Sequence, residues 1–351
     1  MRDVLEEIDR IRPAGGRLAL ATVIDARRSA PRPVGAKMVV SERGEIGGSV
    51  SGGCVEGAVV EAAEEVLRGS PPRLMSFGIA DDEAWDVGLP CGGEIDVWVA
   101  PYEPDSAFER LARAGERAVQ VTGLEGSLAG RRLVVGLDGV IEGTLGSPEL
   151  DAEAARVAGE LIWAERSERR GALFYDVTAP DPRLILFGAV DIAAAVCRIA
   201  RVCRWRPYVV DPRARFATRE RFPDAIEVIA AWPEEAFARL GGIDPATSIA
   251  VLTHDPKLDD AALLIALRSP ARFVGAMGSR RAQATRRERL LAAGLSDAEL
   301  ERLSAPLGLD LGAVGREETA LSVFAEIVAA RHGRSGGRLR DAQGRIHRVP
   351  A

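Results

Sequence analysis

The sequence contains little lysine and little cysteine. Only two of its 46 basic residues are lysines, Lys37 and Lys257, and the rest are arginines. Its four cysteines stand in a chain of 351 residues, and no two of them form a C-x-x-C pair. This pattern excludes a disulfide framework and a zinc-ribbon or thioredoxin-like site.

Long hydrophobic runs and a basic charge balance are also missing. No apolar stretch is long enough to span a bilayer, and the charged, amphipathic start MRDVLEEIDRIRP is unlike a signal peptide. We therefore expect a cytoplasmic protein with reduced thiols and no membrane partner. The formal net charge of −6 argues against a nucleic-acid partner. The length is typical of two domains.

The first half predicts an α/β domain with glycine-rich turns over residues 1–178. Within it, residues 35–50 can be aligned with residues 130–145, and an amphipathic helix follows each segment, the first at 54–68. One interpretation of the alignment is an internal duplication that relates 17–100 to 117–177. The alternative is two independent hairpin-and-helix units that share only their turn residues.

The second half, residues 179–335, alternates short apolar strands with helices. This alternation is typical of a Rossmann-like, doubly wound parallel sheet, and residues 336–351 read as a basic tail. The predicted strands are 183–187, 207–211, 226–230, 248–254 and 271–278.

The turn after the first of these strands resembles a dinucleotide-binding turn only in part. Gly188 holds the first position, and Asp211 follows at the spacing of a ribose-binding acid. Val190, however, replaces the glycine that lets the backbone approach a pyrophosphate, and Asp191 adds a negative charge beside it. An NAD(P)-linked oxidoreductase is therefore the alternative function, and this turn argues against it.

SGGCVEG (51–57) is the strongest chemical signal. Gly52 and Gly53 permit a tight turn into the helix, which would place Cys54 in its first turn, where the positive helix end stabilises a thiolate. Glu56 would cap that turn or act as an acid or base. The alternative is a small buried cysteine at a packed turn.

Cys91 lies between glycines in GLPCGGE, so its sulfur is approachable. Soft-metal contact or sulfur transfer is one interpretation, and an ordinary loop cysteine is the other. No histidine or second thiol stands at ligand spacing, so we predict no structural metal site. Cys197 and Cys203 lie on a predicted helix and favour a core role.

Further candidates for ligand binding are basic or lie where parallel strands end. Open α/β sheets bind ligands at the carboxyl ends of their strands, and helix starts bind anions. For the histidine among them, the alternative is an ordinary residue at the sheet edge. These candidates are Lys37, His254, Lys257, Gly278, Ser279 and Arg280.

Together these motifs resemble the xanthine dehydrogenase accessory family, of the XdhC and CoxI type. The first domain carries the resemblance in SAPRPVGAKMVV, IGGSVSGGCVEG and LPCGGEIDVWV. The second carries it in LILFGAV, VVDPR, LTHDPKLDDAAL, FVGAMGSRRA, APLGLDLGA and EIVAARHGRSG. So many motifs in one order make the resemblance specific.

The resemblance implies a chaperone more than a turnover enzyme. It would bind molybdenum cofactor (molybdopterin) transiently, assist its sulfuration with a cysteine desulfurase, and deliver it to an apo molybdenum hydroxylase, as a homodimer. The family's Gly-Ala-Gly-His turn is Gly188-Ala189-Val190-Asp191 here. That departure puts NAD(P) binding in doubt. A third hypothesis is a scaffold that docks the hydroxylase without touching cofactor, and the intact SGGCVEG argues against it.

Overall fold

The computed structural model describes residues 1–12, 15–28, 30–78 and 93–342. The chain divides into two units, one comprising Met1–Pro180 with Ala342–Ala351 and the other Asp181–Asp341. Within the described ranges, no helix is long and apolar enough to cross a membrane.

The first unit begins with a five-stranded antiparallel sheet. Helix α1 (Leu5–Ile11) precedes it, and α2 (Glu56–Leu67) connects its third and fourth strands. The strand order is β3-β2-β1-β5-β4. The strands are β1 (Leu18–Arg27), β2 (Lys37–Ser41), β3 (Ile46–Gly48), β4 (Arg73–Phe77) and β5 (Glu94–Pro101).

A second antiparallel sheet in the same unit has the equivalent strand order, β8-β7-β6-β10-β9. Helix α3 (Ala107–Ala114) precedes it, and α4 (Pro148–Ala164) connects its third and fourth strands. The two sheets therefore share one topology. The strands are β6 (Ala118–Gly123), β7 (Arg132–Gly136), β8 (Gly139–Thr144), β9 (Glu168–Arg170) and β10 (Leu173–Thr178).

Each sheet is covered by an amphipathic helix whose apolar stripe recurs at helical spacing. Helix α2 buries Val59, Ala62, Ala63, Val66 and Leu67, and α4 buries Ala154, Val157, Ala158, Leu161 and Ile162. Ser147 caps α4 through the amide of Leu150, and Pro148 stands in its first turn. Burial of these stripes fixes which face of each sheet becomes core.

The second unit is built around a six-stranded parallel sheet of order β13-β12-β11-β14-β15-β16. Its four central strands are mostly apolar and buried because helices cover both faces. The strands are β11 (Arg183–Phe187), β12 (Arg206–Val210), β13 (Glu227–Ile229), β14 (Ser248–Val251), β15 (Phe273–Ala276) and β16 (Leu303–Ser304). The helices are α5 (Asp191–Val202), α6 (Pro233–Arg239), α7 (Pro256–Arg268), α8 (Arg280–Ala292), α9 (Asp297–Leu300) and α10 (Arg316–Arg331).

This order is that of a doubly wound fold, so the predicted class is confirmed: an α/β protein with antiparallel N-terminal sheets and a parallel C-terminal sheet. Two local features were not predicted. Helix α7 begins at Pro256, where the Asp255 side chain caps it by accepting from the Lys257 amide. The short β16 has only two residues, which carry no recognisable period.

Candidate functional site

Strands β1, β3 and β4 of the first sheet all end at the same edge, the one formed by the strand ends. Strand β1 ends at Arg27, which pairs with Glu94 at the start of β5. Strand β3 ends at Gly48, which pairs with Met38 near the start of β2, and β4 ends at Phe77, which pairs with Ile95 of β5. The residues that follow β1 and the loop that carries Cys54 therefore leave the sheet at the same edge.

Cys54 is exposed on a glycine turn at this edge. Gly52 and Gly53 have φ values of +78° and +115°, and a side chain at either would meet no atom within 4 Å. Helix α2 begins at Glu56, so the prediction that Cys54 lies in its first turn was wrong. The thiol precedes the helix because residues 51–55 form a separate loop, in which Ser51 Oγ accepts from the Cys54 amide at 3.0 Å.

Glu56 is the centre of that loop. Its carboxylate accepts from the Ser49 hydroxyl and from the amides of Val50, Ser51, Gly52, Gly53 and Val55, at 2.7 to 3.2 Å, and from the Ser51 hydroxyl. Partial burial raises the pKa of Glu56, but hydrogen bonds from the Ser51 and Ser49 hydroxyls and from the Ser51 amide lower it to about 2. An acid–base role at neutral pH does not fit such a carboxylate.

Two arginines at the end of β1, Arg27 and Arg28, are paired with acids. Arg27 Nη2 lies 2.9 Å from buried Asp96, which Arg169 also approaches at 3.3 Å. Arg28 lies 3.6 Å from Glu94. Sequence reasoning did not find Asp96, because a lone acid within an apolar strand gives no periodic signal.

Lys37 lies inside the fold. Its side chain is 1% exposed, its ammonium lies 2.7 Å from Asp176 of β10, and it also donates to the Gly35 carbonyl. This lysine therefore joins the two sheets of the unit. We do not include it among the residues that face a ligand.

The Rossmann-like turn of the second unit is occupied by its own side chains. Asp211 is fully buried and accepts from the Ala189 amide at 2.8 Å and from Arg213. Burial raises the pKa of Asp211, but the bonds from Arg213 and the Ala189 amide outweigh it and leave the pKa below its usual value. Asp191 pairs with Arg221 at 3.1 Å. Asp211, the acid expected to bind a ribose, is therefore hydrogen-bonded within the turn itself.

The other candidates of the second unit lie in the loops and helix starts that follow the carboxyl ends of β11, β14 and β15. His254, Lys257, Ser279 and Arg280 are exposed. Ser279 caps α8 through the amide of Ala282. Gly188 and Gly278 have φ values of +114° and +137°. Strand ends therefore bring these residues to one edge of the sheet.

A buried ion pair lies beneath those loops. Arg286 of α8 donates to Asp259 of α7 at 2.8 Å and to the Met277 carbonyl at 3.0 Å, and Thr253 also bonds Asp259. Burial raises the pKa of Asp259. This pair ties the two loops together. The sequence did not reveal it, since its members lie on different helices.

The remaining cysteines differ in environment. Burial raises the pKa of Cys197 to about 12, so a core role suits it. Cys203 is exposed at the end of α5, so the expected core role was wrong for this residue. Cys91 lies outside the described residues. Among the residues that are described, no group of three or more His, Cys, Asp or Glu side chains is placed to hold a metal ion.

Comparisons with known proteins agree with this architecture. A family model described as "XdhC and CoxI family" matches residues 11–78, and one described as "XdhC Rossmann domain" matches residues 184–327. The chain belongs to the XdhC/CoxI family. The first match spans the Cys54 loop, and the second spans most of the parallel sheet.

Two curated relatives match most of the chain. One, from Bacillus subtilis (strain 168), is named as a probable subunit of xanthine dehydrogenase; it is 28% identical over 89% of this chain and 92% of its own. The other, from Escherichia coli (strain K12), is the molybdenum cofactor insertion chaperone PaoD, 28% identical over 91% of this chain and 85% of its own. A crystal structure described as a xanthine dehydrogenase from Bacillus halodurans has the same fold, with a TM-score of 0.68, 24% identity and 98% of both chains covered.

Proposed function

We propose that this protein binds the molybdenum cofactor and assists its sulfuration and insertion into a hydroxylase of the xanthine dehydrogenase type. The proposal rests on the family and on the relative that is named a molybdenum cofactor insertion chaperone. Its partners would be the apo hydroxylase and a cysteine desulfurase, and it would act as a homodimer.

One observation links the proposed function to particular residues. The two sheets of the first unit share a strand order, but only the first has a cysteine on an open glycine turn after its third strand. At the same place the second sheet has the turn before Ser147, which caps α4. This difference supports a scaffold role for the features that the two sheets share and a chemical role for the Cys54 turn of the first sheet.

The residues at this edge fit a cofactor with a soft metal end. An exposed thiol can supply a sulfur ligand to such a metal, and no atom lies within 4 Å of the position that a Cβ would take at Gly52 or Gly53. The cofactor is cargo here, so Cys54 would hold it and release it. The second unit would separately bind charged or polar groups at the carboxyl ends of its strands. The residues concerned are His254, Lys257, Gly278, Ser279 and Arg280.

The decisive experiment compares Cys54→Ser with Cys203→Ser, because both thiols are exposed and only one lies on the glycine turn. We expect Cys54→Ser to lower the activity of the co-expressed hydroxylase at least about ten-fold, while Cys203→Ser leaves it unchanged. Wild-type protein from a molybdenum-replete host should contain pterin. Normal hydroxylase activity with Cys54→Ser would remove the role of this thiol, and a pterin-free wild type would contradict cofactor binding.

A further inference from the structure

A cavity of about 50 Å³ lies between the two sheets of the first unit. The first sheet lines it with Thr22 of β1 and Trp98 of β5, which pair with each other. The second sheet lines it with Thr122 of β6 and Phe174 of β10, which also pair with each other. All four side chains are buried. The described lining includes no residue of the Cys54 loop, 49–56, so the cavity is separate from the candidate site.

Equivalent strand positions of the two sheets supply these four residues. Thr22 pairs with the first residue of β2, and Thr122 pairs with the first residue of β7. On their other side, Thr22 pairs with Trp98 and Thr122 with Phe174. The threonine is therefore present in both sheets, whereas the aromatic N–H is present only in the first. The second sheet shows that phenylalanine fits this position of the strand.

Two buried N–H donors at the cavity have no hydrogen-bond partner among the residues that the structure describes. They are Nε1 of Trp98, a side chain that is only 6% exposed, and Nε of Arg132. The other guanidinium nitrogens of Arg132 contact Glu103 at 2.6 Å and the Pro101 carbonyl at 3.3 Å. Because a buried donor without an acceptor destabilises a fold, these two N–H groups indicate an acceptor inside the cavity.

The charges around the cavity leave room for a negative ligand. Each acid in its described lining is already held by a cation, Asp176 by Lys37 at 2.7 Å and Glu103 by Arg132 at 2.6 Å. An indole or guanidinium N–H can only donate, and a threonine hydroxyl can rotate to donate. A molecule that satisfies these groups together must therefore carry acceptors on several sides.

We propose that the cavity binds a compact oxyanion, either a tetrahedral ion such as sulfate or a small carboxylate such as acetate. Its volume suits about three to five non-hydrogen atoms, at roughly 10–15 Å³ for each. Since the donors belong to both sheets, one bound anion joins the sheets and stabilises the first unit. The site goes beyond the proposed function, because it requires neither Cys54 nor the molybdenum cofactor.

The test is the thermal unfolding midpoint, Tm, of the full-length protein as sodium sulfate or sodium acetate replaces sodium chloride at constant ionic strength. We expect at least one of the two anions to raise Tm along a saturating curve, with half-saturation at about 1 mM or below. A response to sulfate indicates a tetrahedral ligand, and a response to acetate indicates a carboxylate. Values of Tm that equal those in chloride for both anions would mean that the cavity holds water only, which overturns the proposal.

Two variants locate the bound anion. Trp98→Phe removes the unpartnered N–H and keeps an aromatic ring, and Thr122→Val removes a hydroxyl and keeps the shape of the side chain. In each we expect the half-saturating concentration to rise at least about ten-fold, measured against the Tm of the same variant without anion. Thr122→Val also covers the case in which Trp98→Phe does not fold. Wild-type binding in whichever variant folds would place the anion elsewhere and would contradict the proposal.

Thr178→Val is the matched control. The Thr178 hydroxyl is also buried without a partner among the described residues, but this residue does not line the cavity. Its variant should bind the anion as the wild type does. Equal weakening in Thr178→Val and Thr122→Val would show a general loss of order and would overturn the assignment. Cys54→Ser should also bind normally, so the failure of this proposal and the failure of the proposed function are distinguishable.

Discussion

Lys37 and Asp176 form a buried ion pair, with 2.7 Å between ammonium and carboxylate, that joins β2 of the first sheet to β10 of the second. Both side chains are almost fully excluded from solvent. The lysine also donates to the Gly35 carbonyl, so its ammonium is held by two acceptors. Lysine stands at only two of the 46 basic positions of the chain, and at this one its compact ammonium is bound by a carboxylate and a carbonyl.

Removal of one partner should therefore be costly. Lys37→Met leaves the Asp176 carboxylate buried without its ion-pair partner, and we expect the free energy of unfolding to fall by about 3–5 kcal/mol. Urea denaturation of the full-length protein measures this. The double variant Lys37→Met/Asp176→Leu removes both charges of the pair and should recover most of the loss. A double variant as unstable as the single one would refute the electrostatic explanation.

The second unit should bind neither NAD nor NADP tightly. Asp211 is bonded to the Ala189 amide and Arg213, and Asp191 places a paired carboxylate at the start of α5. Titration calorimetry of the full-length protein should show no binding at micromolar concentration, a level that corresponds to about −8 kcal/mol. Val190→Gly should not restore binding, because the Ala189 amide stays occupied. Micromolar affinity in the wild type would revive the oxidoreductase alternative.

The low pKa of Glu56 leads to a prediction about the folding stability of the protein at acidic pH. Its pKa is lowered from 4.5 to about 2, so its stabilising contribution is fully present above pH 4.5 and is lost as the pH falls toward 2. Because the carboxylate is partly exposed, we expect a contribution of about 1 kcal/mol.

This contribution is measured as the difference in unfolding free energy between wild type and Glu56→Gln across pH 2–7. Other carboxylates titrate alike in both proteins and cancel. The difference should shrink as the pH falls below 4.5. A difference that is constant over the whole range would mean that the charge of Glu56 contributes nothing to folding.

The fold could be predicted from the sequence where the hydrophobic pattern has a clear period. The strands of the second unit and the apolar stripe of α2 were of this kind. The start of α2 was not, because the bonds of Glu56 to the loop amides hold residues 51–55 out of the helix. The spacing of glycine and serine in the sequence cannot by itself show which acceptor those amides donate to.

The candidate site was predictable in part for a similar reason. Exposed Cys54 lies on its glycine turn, and that turn was visible as Gly52-Gly53. The burial of Lys37 and Asp211 was not visible, since each is satisfied by a partner distant in sequence or by the turn it was expected to serve. Which polar side chains from separate elements form pairs depends on how those elements pack. The periodicity of the sequence gives no information about that packing.

The last prediction tests the equivalence of the two hairpins of the first unit. Gly48 and Gly143 have φ values of +76° and +87°, and a Cβ at each would lie 2.4 and 2.2 Å from the carbonyl oxygens of Lys37 and Arg132. Neither backbone oxygen can move without breaking its strand. Gly48→Ala and Gly143→Ala should therefore each lower the free energy of unfolding by at least about 3 kcal/mol.

Gly52→Ala is the matched control, because its φ is +78° but its Cβ would meet no atom within 4 Å. Only the left-handed backbone conformation then opposes the side chain, at a cost of about 1–2 kcal/mol. Urea denaturation of the three variants separates the two effects. If Gly52→Ala were as damaging as the hairpin variants, close approach would not be the reason for glycine. If only one hairpin variant were damaging, the two hairpins would not share the close approach that the registers of β2–β3 and β7–β8 indicate.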